Sequence, residues 1–183
     1  MCVFYRYCVK VESMILAFGD SLTYGYGPEN DFSYPKQFEK KTGIEVMNAG
    51  LKGESSYEGL LRLPSLLEHK PDVVILCHGV KDIVDNASPI NLKNNLIAMI
   101  KLIKKSGAEV LFMALPDYYH SGFGMYDIYD EVAEETGVLF ECDVLRHIDI
   151  DRTLKSDHVH PNEKGYELMA DVLISTLEIQ EAV

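Results

Sequence analysis

The run Asp72-Val73-Val74-Ile75-Leu76-Cys77 carries no charged or strongly polar side chain after its first residue. A strand with one face in water alternates apolar and polar residues. One that is apolar on both faces must be covered on both, as a parallel strand between helical layers is. Parallel neighbours cannot be joined by tight hairpins, so each connection needs a crossover of a dozen or more residues. The chain supplies these. Met14–Phe18 (MILAF), Ile44–Asn48 (IEVMN), Glu109–Leu115 (EVLFMAL) and Val138–Glu141 (VLFE) read as four more strands, with helical patterns between them.

A helix is expected over Asp31–Thr42, with Pro35 near its first turn and Gly43 as its stop. Leu60, Leu63, Leu66 and Leu67 recur at helical spacing, although Pro64 must kink or restart that segment. Pro89 opens a long amphipathic helix carrying Leu92, Leu96, Ile100 and Ile103, closed by Gly107. Further helices are expected around Tyr126–Thr136 and over Asn162–Leu177, the latter started by Pro161. This alternation predicts a three-layer α/β/α sandwich around a five-stranded parallel sheet, flavodoxin-like in layout.

One such domain, residues 14–183, accounts for most of the 183-residue chain, a length ample for a full α/β core. Residues 1–13 (MCVFYRYCVKVES) form an extension, aromatic and without the continuous apolar core of a signal peptide. An extra edge strand, an ordered arm and a leader from an upstream start codon all fit it. The net charge of −12 repels phosphate backbones and anionic headgroups, which argues against a nucleic-acid partner. No run approaches the ~20 apolar residues of a spanning helix, so no membrane insertion is expected. Cys2, Cys8, Cys77 and Cys142 form no C-x-x-C pair and no spaced ligand set. They read as reduced thiols, Cys77 as a buried small hydrophobe, which suits a cytoplasmic location.

In open α/β sheets, ligands bind beyond the carboxyl ends of the strands. The segments there are Gly19-Asp20-Ser21-Leu22, Asn48-Ala49-Gly50-Leu51-Lys52-Gly53 and Gly79-Val80-Lys81-Asp82, joined by Asp157-His158-Val159-His160-Pro161-Asn162 beyond the fifth strand. F-G-D-S-L, N-A-G-x-x-G and D-x-x-H-P-N, in this order and spacing, resemble three of the four signature blocks of the SGNH (GDSL) hydrolases. L-x-R-L-P-x-L-L (Leu60–Leu67) followed by P-D-V-V-I-L further resembles the bacterial thioesterase, lysophospholipase and arylesterase branch. The resemblance covers roughly Met14 to Leu177.

It implies that Ser21 is the nucleophile, His160 its general base and Asp157 the carboxylate that orients the imidazole. A serine hydroxyl needs such a base to attack at all. The Ser21 and Gly53 backbone N–H groups match two donors of the family's oxyanion hole. The family strand order places strand one between strands two and three, with Ser21 central.

The remaining block departs from the pattern. Where the family has G-x-N-D, this chain has Gly79-Val80-Lys81-Asp82, so Lys81 stands in the position of the third oxyanion donor. Its ammonium offers donors and a full charge on a longer stem. It can approach the oxyanion, which is the expectation here. It can also pair with Asp82 or Asp20 and point away, or lower the imidazole's affinity for a proton. Asp20 reads as a structural loop carboxylate that borders the substrate. Gly50 reads as serving turn geometry, since glycine tolerates positive φ. Tyr24, Tyr26, Tyr118, Tyr119, Phe123 and Tyr126 fall in loops near the same edge, and His78 directly follows the third strand. Tyr24, His78 and Tyr118 are candidate substrate contacts, with surface packing or a satisfied structural histidine as the alternative. His158, His160 and Asp157 can also be read as a metal cluster, but the other histidines are scattered and no H-E-x-x-H pair occurs. No metal or cofactor is expected.

The expected activity is serine-dependent hydrolysis of small carboxylic esters or thioesters through an acyl-enzyme. A carbohydrate acetyl-esterase would use the same fold and residues. A weakly active or non-catalytic homologue that keeps the pocket for binding is the rival from another class, and Lys81 sustains it. A response-regulator-like phosphoacceptor shares the sheet order but would need an acidic pair after strand one.

Overall fold

The structure is a computed structural model that describes residues 11, 14–28, 32–116, 118 and 127–177. Of the N-terminal extension only Val11 is described, half-buried against the core. Cys2, Cys8, Tyr119, His120, Phe123, Tyr126 and the expected helix start at Asp31 lie outside the described residues.

The chain alternates strand and helix as its apolar runs require. β1 (Ile15–Gly19) is followed by a single-turn α1 (Ser21–Tyr24), then α2 (Tyr34–Thr42) and β2 (Val46–Gly50). α3 (Ser56–Leu67) leads to β3 (Val73–Cys77), a short α4 (Val80–Val84), the long α5 (Pro89–Ser106) and β4 (Glu109–Met113). α6 (Asp127–Thr136), β5 (Leu139–Glu141), α7 (Val144–Ile150), a 3-10 turn (Arg152–Leu154) and α8 (Glu163–Leu177) complete the order. The five strands are all parallel, in the order β2-β1-β3-β4-β5. β1 and β3 are buried along their whole length, as strands covered on both faces must be. α2 packs on α8, and α3 packs on α5, which packs on α6.

Register aligns the site. Gly19 lies opposite Gly50 on one side and Cys77 on the other, so β1, β2 and β3 end flush. The segments after them therefore start from one level of the sheet.

Strand ends differ from the sequence reading by one or two residues. β2 begins at Val46 rather than Ile44 and runs through Gly50. Pro64 does not restart its helix, because α3 is a single element that contains it. α1, α4 and α7 carry too few turns to leave a periodic signal. Cys77 is a buried free thiol, but Cys142 is disulfide-bonded, which corrects the expectation of four reduced cysteines. Pairing depends on approach in space rather than on spacing in sequence. A persistent disulfide belongs to oxidising surroundings, so the cysteine argument for a cytoplasmic location does not stand. Among the described residues no helix is long and apolar enough to cross a membrane.

Candidate active site

Ser21 opens α1 directly after β1, so its hydroxyl stands at the carboxyl end of the central part of the sheet. Its Oγ lies 3.0 Å from His160 Nε2. On the other side of the ring, His160 Nδ1 is 2.8 Å from Asp157 Oδ2 and 3.0 Å from Oδ1. A carboxylate can only accept, so Nδ1 carries the proton and Nε2 is left to accept from the serine hydroxyl. The backbone N–H groups of Val159 and His160 both donate to Asp157 Oδ1, each at 2.8 Å. Partial burial opposes ionisation of Asp157, yet these two N–H groups and the imidazole together hold its carboxyl below its usual value. The D-x-x-H spacing works because one tight turn lets a single carboxylate bind both the turn's backbone and its own histidine. The Tyr26 ring packs edge-on against the imidazole, with centroids 4.7 Å apart, and the Lys52 ammonium lies 3.6 Å from the Tyr26 ring centroid.

A cavity of about 410 Å³ opens above Ser21. Its walls include Gly53 and Lys52 on one side, Val80, Lys81 and Val84 on another, and His158, Val159 and His160 on the third. Gly53 has φ +75°, with open space where a Cβ would stand, so glycine serves its backbone conformation. Gly50 differs from expectation. It has no positive φ, and a Cβ there would meet the Tyr24 backbone nitrogen at 2.0 Å. It is small so that α1 can approach β2. Neither the Ser21 nor the Gly53 N–H has a backbone or side-chain acceptor among the described residues.

Lys81 lines this cavity but bonds outward: its Nζ is 2.5 Å from Asp85 Oδ2, one turn along α4. That hydrogen bond and the Asp85 charge raise its pKa. The partner is neither Asp82 nor Asp20. Asp82 is buried and takes hydrogen bonds from the Ser56 N–H and hydroxyl, both at 2.7 Å, at the start of α3. Asp20 is buried beside Ser21, accepting from Leu22 N–H through Oδ1 (3.2 Å) and from Gly79 and Val80 N–H through Oδ2 (3.0 and 2.8 Å). Burial raises its pKa against the pull of His78 and these donors. Its carboxylate is occupied in fastening the β1 loop to the β3 loop.

The other candidate contacts are placed differently. His78 is wholly buried, and Tyr118 is buried with its carbonyl 3.2 Å from His158 Nε2. Tyr24 is exposed, and neither it, His78 nor Tyr118 is among the residues lining the cavity. Lys52, Val84 and Val159 line it without having been singled out; their nearness to the signature blocks was the available signal. The described residues contain no group of three His, Cys, Asp or Glu side chains able to hold a metal ion.

The sequence profile of the GDSL-like Lipase/Acylhydrolase family matches residues 17–168. An arylesterase of Vibrio mimicus is 31% identical, with 93% of each chain covered. The thioesterase 1/protease 1/lysophospholipase L1 of Escherichia coli is 28% identical over 90% of this chain and 83% of its own. Among solved structures, the psychrotrophic esterase EstA from Pseudoalteromonas sp. superposes with a TM-score of 0.80 at 25% identity, covering 90% of this chain and 96% of that one.

Proposed function

Since the chain belongs to the GDSL-like lipase/acylhydrolase family, we propose that it hydrolyses small carboxylic esters or thioesters with Ser21 as nucleophile, His160 as base and Asp157 as its orienting carboxylate. The observation that carries this reading is the unbroken line from Ser21 Oγ through His160 to Asp157, with contacts of 3.0 and 2.8 Å. Ser21 attacks the acyl carbon as its proton passes to Nε2, and the Ser21 and Gly53 N–H groups receive the developing oxyanion. The imidazolium, steadied by Asp157, then returns the proton to the leaving alkoxide or thiolate. Water attacks the acyl-serine with Nε2 again as base and releases the acid. Arylesterase and thioesterase relatives support this substrate class. The apolar side chains of Val80, Val84 and Val159 in the cavity wall suit a small acyl or aryl group.

Turnover of p-nitrophenyl acetate and butyrate tests it. His160→Ala is expected to lower kcat by several orders of magnitude, as loss of a triad base does. His158→Ala, which removes a ring whose Nε2 lies 3.2 Å from the Tyr118 carbonyl, is expected to cost far less. Comparable losses at the two histidines would argue for a shared structural role instead.

A further inference from the structure

From Asp20, in the wall of the cavity, a row of buried ionisable groups that the hydrolytic cycle does not use runs into the protein. Asp20, His78 and Glu54 are 1%, 0% and 5% exposed. His78 Nε2 is 3.2 Å from Glu54 Oε2, and Nδ1 faces Asp20 Oδ2 across 3.9 Å without a hydrogen-bond partner of its own. Arg62 grips Glu54 with both prongs, at 2.7 and 2.6 Å, and donates to the Ala49 carbonyl at 3.0 Å. Burial works against the Glu54 charge, yet Arg62 and His78 bring its pKa down to about 2. Well-packed apolar residues often replace such buried charges without loss of stability. Stability alone therefore does not account for the row.

Its members sit where the two oxyanion donors are carried. Asp20 precedes Ser21, and Glu54 follows Gly53. His78 directly follows β3, the neighbour of β1 on the side away from β2, and its carbonyl is held by the Tyr129 hydroxyl at 2.8 Å. With Lys81 drawn to Asp85, stabilisation of the oxyanion falls to two backbone N–H groups on two different loops. We propose that His78 is a positioning residue: it spans the nucleophile loop and the Gly53 loop, and so fixes the separation of the two donors. The inference rests on the assignment of Ser21 and Gly53 as those donors.

Three variants test it: His78→Leu, His78→Gln and Gly59→Ala. The last removes no ionisable group but puts a Cβ 2.4 Å from His78 Nε2, displacing the ring. The readout is kcat per serine labelled by a fluorophosphonate, which corrects for any misfolded fraction, together with KM for p-nitrophenyl butyrate. His78→Leu and Gly59→Ala are expected to lower that kcat about 10–100-fold, the scale of a small misplacement of catalytic groups. KM should change little, affinity for a boronic-acid transition-state analogue should fall in parallel with kcat, and His78→Gln should recover most of the loss. If His78→Leu does not fold, Gly59→Ala decides. Wild-type kcat per labelled serine in whichever variant folds, with only the melting temperature lowered, overturns the proposal. Failure of the wild-type enzyme to label at Ser21 would instead remove the assignment beneath it.

Discussion

Lys81 shows what a residue's position in a motif does and does not determine. Its place in the third block was legible in sequence, but the direction of a four-carbon stem was not. The competing acceptor, Asp85, lies outside the motif. With the ammonium bound to Asp85, Lys81→Met is expected to leave kcat nearly unchanged. Lys81→Asn supplies a neutral donor on a shorter stem and should raise kcat, by up to the 10²–10³ that such donors contribute elsewhere. A large loss in Lys81→Met, measured as kcat on p-nitrophenyl butyrate, would return the ammonium to the oxyanion. Glu54 makes a second residue-scale prediction. Its pKa falls from 4.5 in the unfolded reference to about 2 in the fold, so the folded state binds its proton less tightly. Its contribution to stability is therefore full above about pH 4.5 and is lost as pH falls toward 2. Asp20, with a raised pKa, acts in the opposite sense: its contribution declines as pH rises above its ordinary value of 3.8. Urea unfolding across this acid range should show Glu54→Gln losing stability less steeply than wild type as pH falls. Equal slopes would contradict the pairing.

Elements were legible in proportion to their length. β3 and α5 announced themselves through a continuous apolar run and a long 3.6-residue period, and the glycine stops at Gly43 and Gly107 both take left-handed backbone. α1 and α4 are one turn each and owe their form to contacts at the sheet edge. These are the elements that carry Ser21 and Lys81, so the site was legible as chemistry before it was legible as structure. α3 combines both cases. Its leucines were visible, but its start is fixed by the Ser55–Glu58 capping box and by Asp82, which reaches from α4 to Ser56. Asp82→Ala leaves the Ser56 N–H without that partner. It is expected to cost about 1.5–3 kcal/mol, the range for hydrogen bonds to a charged group, read as a lower urea midpoint with an unchanged m-value. A cost near zero would mean that Asp82 does not hold α3 in place.

At the scale of the whole molecule, the parallel sheet followed from burial on both faces, and the strand order from the family resemblance. Flush strand ends brought residues 20–21, 53, 79–81 and 157–160 into one region around a single cavity. The buried row Asp20–His78–Glu54–Arg62 was not legible, because its members come from four parts of the chain and no periodicity links them. Nor was the bond at Cys142. Thiol titration of the denatured, unreduced protein is expected to give fewer than the four thiols that the sequence contains; a full count would restore the reduced reading. The central claim is that the fold turns one serine, Ser21, into an activated nucleophile, and covalent labelling tests it most directly. A fluorophosphonate should modify the protein once, on the peptide containing Ser21 by mass spectrometry, with labelling abolished in Ser21→Ala and strongly slowed in His160→Ala. Labelling at another residue, or undiminished labelling of Ser21→Ala, would contradict the account.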